Sequence, residues 1–443
     1  MSLLQRIFGK EEASQGLPSI KFGRYTDAYK QPEQYQSWEK ALQAFEEDKY
    51  MDSYRAFFHY LRDEEEDNVR FRETDEGIEF ELFQGSKKVT GTANPEHLKA
   101  EAKVARVKSM NIGFLRRLID QNYNLKYSRF ALDPDHNISI VFDTFSINGS
   151  PYKIYYGLKE MATNADKQDD LLIDEFAVLQ SIETEHLKDL PEKEKNIKFD
   201  FIQKEIQAVF SALEREKPDP QQYPGAHIYQ LLYLCYKLDF LTTPEGHMME
   251  VLERIHRLYF AKDDRNTLQK AHLLRKEFQK LLERPKEDFF KEMYQASSTF
   301  GITSPVNHEK VVTFIDGELH NMDWYLDNKY PEVALAIPGY IVGFCLFNYA
   351  IPKPDWDLFL LFFQITESAY FKQLGFPFSY YNKQTQTFRK REILKAIRHI
   401  VEVNTPTYPK LNPKTRMLDF SSFPVFAKTF LLMVRNMDVT KAD

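Results

Sequence analysis

Cysteine is almost missing from the chain: Cys235 and Cys345 are the only two, and they sit in the apolar runs LLYLCYKL and IVGFCLFN. Two thiols so placed exclude a disulfide framework and read as small buried hydrophobes in a reducing compartment. Glycine (16) and proline (21) are too scarce in 443 residues for a fibrous or low-complexity protein. Positive charge is not in excess, with 59 Lys and Arg against 66 Asp and Glu. The resulting net charge of −7 argues against a nucleic-acid partner, which calls for a basic face. No G-x-S-x-G elbow, H-E-x-x-H, Walker loop or G-x-G-x-x-G is found, so no catalytic residue, cofactor site or metal ligand is assigned. Met1–Ser14 has no long apolar stretch leading to a small-residue cleavage site, which makes the cytoplasm the expected location.

Aromatic residues are abundant at 14%, with 36 Phe and 25 Tyr, so cores or contact surfaces built from large flat rings are expected. The longest uncharged run, Val333 to Pro352, approaches membrane-spanning length. Pro338, Gly339 and Gly343 interrupt it and no basic cluster flanks it. With the apolar Asp357–Ile365 it reads as a buried helical hairpin, and membrane association through Val333–Pro352 is the alternative.

Three regions follow from the periodicity: an irregular arm over 1–32, an α+β unit over 33–190, and an all-α unit of about ten helices over 197–443. In the α+β unit, Trp38, Leu42 and Phe45 mark one short helix and Tyr54, Phe57, Phe58 and Leu61 a second. Three strands follow, NVRFRE, IEFELF and KKVTGT, with turns at Asp75–Gly77 and Gly85-Ser86. Asn94-Pro95 then reads as a helix start, with Val104, Val107, Met110, Phe114 and Leu118 on one side down to Asn122. SRFALDPDHNISIVFDTF reads as a hairpin turning at Pro134 to Asn137. A long helix is expected from Pro151 to Leu187, then a charged linker.

The meander from Val69 to Thr92, the helix from Pro95, and NLKYSRFALDPDHNISIVFD together resemble the type III secretion chaperone superfamily, in particular its YbjN-type branch. The resemblance covers about a third of the chain. It implies an α-β-β-β-α-β-β-α module that binds partner proteins without catalysis, often as a dimer. The expected fold class is therefore α+β, a chaperone-like module followed by an all-α helical domain. The expected function is non-enzymatic binding of a protein or peptide client, as a chaperone or scaffold, with a second copy of the chain as a further partner.

Other residue groupings have the outline of a catalytic or metal site but lack parts of it. A calcium loop at Asp133, Asp135 and Asn137 would need Gly at its sixth position and a bidentate carboxylate at its twelfth; Ile138 and Thr144 stand there. Two Glu-x-x-His pairs, Glu183/His186 and Glu253/His256, have the spacing used by carboxylate-bridged metal bundles. They keep open an enzyme or metalloprotein with a site between the domains, although surface charge explains them better. FQGSKKVTG has the wrong order to cradle a phosphate. The basic stretch FRKREILKAIRHI reads as a solvated helix face around Ile393, Ile397 and Ile400. If Phe80, Leu82, Ile140 and Phe142 face the core, then Phe83, Val141 and Phe145 point to the opposite sheet face. Apolar groups there are covered by the rest of the chain, by a second copy, or by a client segment added at an open sheet edge.

Overall fold

Alternation in the first half and helical periodicity in the second produce an α+β molecule. The computed structural model describes residues 18–442 except 216, 217 and 220; Met1–Ser14 and the first half of the arm lie outside the described residues. Two antiparallel helices, α1 (Pro32–Glu46) and α2 (Tyr50–Leu61), precede strands β1 (Val69–Thr74), β2 (Gly77–Gln84), β3 (Lys87–Ala93) and β4 (His97–Val107). Helix α3 (Ile112–Asn122), the hairpin β5 (Arg129–Leu132) and β6 (Asn137–Phe145), helix α4 (Pro151–Glu175) and β7 (Leu179–Ser181) complete the unit. The sheet is antiparallel in the order β1-β2-β3-β4-β6-β5, and β7 pairs with β4 beyond the end of β3.

The fourth strand corrects the expected α-β-β-β-α order. Asn94-Pro95-Glu96 forms a turn, in which Asn94 Oδ1 accepts from the amides of Glu96 (2.9 Å) and His97 (2.8 Å). Leu98, Ala100, Ala102 and Val104 are buried at every second position while Lys99, Glu101 and Lys103 are not. That two-residue period overrides the helix propensity of an Ala, Lys and Glu-rich stretch once β3 and β6 pair on either side. The helix begins only at Ile112, where Asn111 Oδ1 accepts from the amide of Gly113. The expected helix to Leu187 also stops early, at Glu175, and the chain turns back to add β7.

One sheet face packs against α2 and α4. Ile78, Phe80, Leu82, Ile140 and Phe142 meet Phe57, Phe58, Leu158 and Met161 in one core, each large side chain contributing about 1.5–3 kcal/mol. From Glu192 to Arg435 there are twelve α-helices among the described residues, sharing a second core. They include α5 (Glu192–Glu214), α6 (Pro224–Thr242) and α7 (Gly246–Phe260). Cys235 and Cys345 are free and buried in this second core.

The helix Pro331–Asn348 is long and apolar enough to cross a bilayer by length and composition, but 72% of its apolar window is buried in the protein. It packs along α6, and Gly339 explains the closeness: a Cβ there would overlap the Tyr233 ring. The small residues that interrupt the run are thus where two helices touch.

The two units exchange segments. Ile20 and Phe22 of the arm belong to the helical core, with Phe22 against Phe371 (5.0 Å between ring centres) and Phe376 (5.9 Å). In the other direction, Ser297–Phe300 reaches back to the sheet. Gly85 donates its amide to Ser297 O (3.0 Å), Gln84 Oε1 accepts from the amides of Thr299 (3.2 Å) and Phe300 (2.9 Å), and the Phe300 ring enters the sheet core.

Candidate functional site

The uncovered face of the sheet forms a concave trough of about 1030 Å³. Register places its outward side chains in rows that run across the strands. One row reads Arg72, Glu79, Thr92, Lys99, Asp143; the next reads Arg70, Glu81, Thr90, Glu101, Val141, Arg129. Opposite charges meet across strands, Arg72 with Glu79 at 2.6 Å and Arg129 with Asp143 at 2.7 Å, while the neutral Ser139 Oγ donates to Glu101 at 2.6 Å. Such exposed pairs are worth about 0–1 kcal/mol each and can be reshuffled by a ligand. Lys99, exposed near the middle, has no partner among the described residues.

The three expected surface residues divide. Phe83 is 4% exposed, covered by the His186 ring (5.2 Å) and by the Arg70 guanidinium (5.0 Å). Its cover is therefore the chain's own β7–α5 connection. Val141 lies in the trough beside Glu101 and Arg129. Phe145 is 59% exposed at the end of β6, where it meets the His97 ring at 4.5 Å. The structure does not join the three into one apolar patch. The charged rows escape a reading of the sequence because alternation shows which residues share a face but not which lie opposite one another.

Two polar clusters elsewhere hold the fold together. Asp133 accepts from the backbone (2.8 Å) and side-chain (2.9 Å) N–H groups of Asn137, so its carboxylate is spent on the hairpin turn. Gly85, at φ +53°, lets the β2–β3 turn approach α4: the Ser86 amide donates to Asp166 (2.7 Å) and Ser86 Oγ to Asp169 (3.1 Å). Lys87, fully buried, bonds Asp169 (2.8 Å) and Val104 O (2.9 Å). The Gly-Ser-Lys sequence thus fastens the sheet to its covering helix. Burial pushes the Asp166 carboxyl up to about 6, against the pull of the Ser86 N–H.

Glu183 and His186 lie outside any helix. Glu253 and His256 do share α7, but at the junction of the two units and not on a free surface. Glu253 accepts from Arg24 (3.1 Å) and Lys167 (3.1 Å), and His256 Nδ1 meets the Tyr236 hydroxyl at 2.8 Å. Burial, reinforced by Arg24 and Arg257, lowers His256 to about 4. Among the described residues no three His, Cys, Asp or Glu side chains group as a metal site. In the helix Lys390–Asn404, Ile393, Ile397 and Ile400 are buried while Arg391, Lys395 and Arg398 face solvent.

No family model and no curated protein matches the chain.

Proposed function

We propose that this is a non-enzymatic protein-binding protein, chaperone-like or scaffold-like, that works in the cytoplasm and offers the open sheet face to a client polypeptide. The observation that carries the proposal is the one-sided sheet. One face is sealed by α2 and α4, while the other is a broad trough with an array of reshuffleable charges. Polar, wide and shallow surfaces of this kind suit extended polypeptide better than an enclosed small molecule. The resemblance to the YbjN-type secretion chaperones supports the same reading, with an added fourth strand and a fused helical unit as departures from that family's pattern.

A second copy is a further partner that α3 suits. Ile112, Ile119 and Tyr123 are 85%, 70% and 93% exposed on one side of that helix, while Phe114 and Leu118 pack inward. Arg116 and Asp120 lie beside them, so two α3 helices related by a twofold axis can pair apolar with apolar and Arg with Asp.

Purification from the native host tests the client proposal. A stoichiometric protein should accompany the wild-type chain and be lost from Thr90→Arg/Val141→Arg, which fills the trough without touching the core. Repeated recovery of the wild type alone, or a partner indifferent to that variant, would refute it. Sedimentation tests the second copy: Ile119→Asp should shift a dimer to monomer.

A further inference from the structure

We infer that β1 is an acceptor edge for an extended segment of a partner protein with carboxylates at alternate positions on its outward face. The inference rests on the protein-binding reading above and specifies the partner's chemistry.

Hydrogen-bond alternation shows which backbone groups of β1 are available. Phe83 donates its amide to Asn68 O at 2.9 Å, so the bonded pairs with β2 fall at Arg70/Glu81, Arg72/Glu79 and Thr74/Gly77. Val69, Phe71 and Glu73 therefore direct their N–H and C=O groups away from the sheet. Val69 O accepts from Arg62 Nε at 3.2 Å. The backbone groups of Phe71 and Glu73 have no partner among the described residues.

At the far edge, β5, the outward groups of Phe130 are taken, which leaves only those of Leu132 open there. There the Asn122 side chain takes the place of a neighbouring strand, accepting from Phe130 N (2.6 Å) and donating to Phe130 O (3.3 Å). Glu160 accepts from Ser128 N at 2.9 Å. Unsatisfied strand edges are normally blocked in this way, and β1 at Phe71–Glu73 is not.

Charge then selects the occupant. On the outer face the rows end at β1 with Arg70 and Arg72, each already opposite a glutamate on β2. The next strand would place its outward side chains directly against these two guanidinium groups, where carboxylates are favoured and cations opposed. On the inner side, Arg62 covers the Phe71 ring (4.9 Å), and Arg55 is already held by Glu73 (2.7 Å) and Asp52 (2.5 Å), so the selecting charges are Arg70 and Arg72 on the outer face. A second copy joined edge to edge through β1 would set arginine against arginine, so the geometry favours a different, acidic chain.

The probe is a short fluorescein-labelled peptide of repeated Thr-Glu-Val-Glu, titrated at low salt by anisotropy beside its Thr-Lys-Val-Lys counterpart. The acidic peptide should bind at least about tenfold more tightly, a difference of about 1.4 kcal/mol. Glu73→Pro removes an outward N–H without breaking a β1–β2 bond and should abolish binding. Arg70→Glu/Arg72→Glu should reverse the preference to the lysine peptide, a change that mere loss of folding cannot give. Equal binding of both peptides, or an acidic preference that survives the reversal, overturns the inference. A native partner kept by Glu73→Pro but lost on filling the trough overturns the edge alone and leaves the broader proposal standing.

Discussion

Arg24 and Asp239, 215 residues apart, meet at the junction of the two units, with Nη2 2.7 Å from Oδ1 and Nε 3.0 Å from Oδ2. The pair is nearly sealed from solvent, and the Arg24 guanidinium also lies 4.0 Å above the Phe347 ring. Glu253 completes the contact and carries it on to Lys167 of α4. An arm that would otherwise be irregular chain thereby ties the sheet unit to the helical unit.

Removing one partner of such a pair leaves a buried charge uncompensated. Arg24→Ala should lower unfolding stability by about 3–5 kcal/mol, read as a fall in the urea midpoint. Replacing both ends with apolar residues, Arg24→Met/Asp239→Leu, should recover much of the loss. If Arg24→Ala unfolds like the wild type, the pair does not hold the units together.

Asp166 and His256 should give opposite pH dependences between about pH 4 and 6.5. The folded chain holds a proton on Asp166 more tightly than the unfolded chain, since burial raises that carboxyl from 3.8 to about 6. Its contribution to stability is therefore full at low pH and is lost as pH rises through about 6. His256 is lowered from 6.5 to about 4, so the folded chain resists protonating it and its contribution is lost as pH falls below 6.5. Relative to wild type, Asp166→Asn should be most favourable at neutral pH, and His256→Gln should soften acid unfolding, each by up to about 3 kcal/mol. Chemical denaturation at a series of pH values checks both slopes; parallel curves for wild type and variants would refute them.

Gly339→Ala should destabilise although alanine is the better helix former. The gain of about 1 kcal/mol in propensity is outweighed by a methyl group driven into the Tyr233 ring, at a cost of about 1–3 kcal/mol where the packed helices cannot separate. A lowered melting temperature checks this; a raised one would mean that α6 and the helix Pro331–Asn348 can part without penalty.

The first three strands were legible because Ile78, Phe80 and Leu82 alternate with glutamates, a pattern only a half-buried strand explains. β4 was not, because alanine fills the buried positions 100 and 102 and gives a weak hydrophobic signal within a helix-favouring composition. The trough was half legible: Val141 was placed on the outer face, but Phe83 is covered by His186, which lies 103 positions further along the chain (186 − 83).

Composition and local periodicity by themselves determined the α+β class, the division into a sheet-bearing first half and a helical second half, and the burial of both cysteines. These depend on which side chains avoid water within one or two turns of backbone. Tertiary structure alone decided that the arm joins the helical core, that Phe300 joins the sheet core, and that Asn122 caps Phe130 on one sheet edge while Phe71 and Glu73 stay open on the other. Those outcomes depend on groups brought together from distant parts of the chain, where register and close packing select the partner and no nearby residue records the choice.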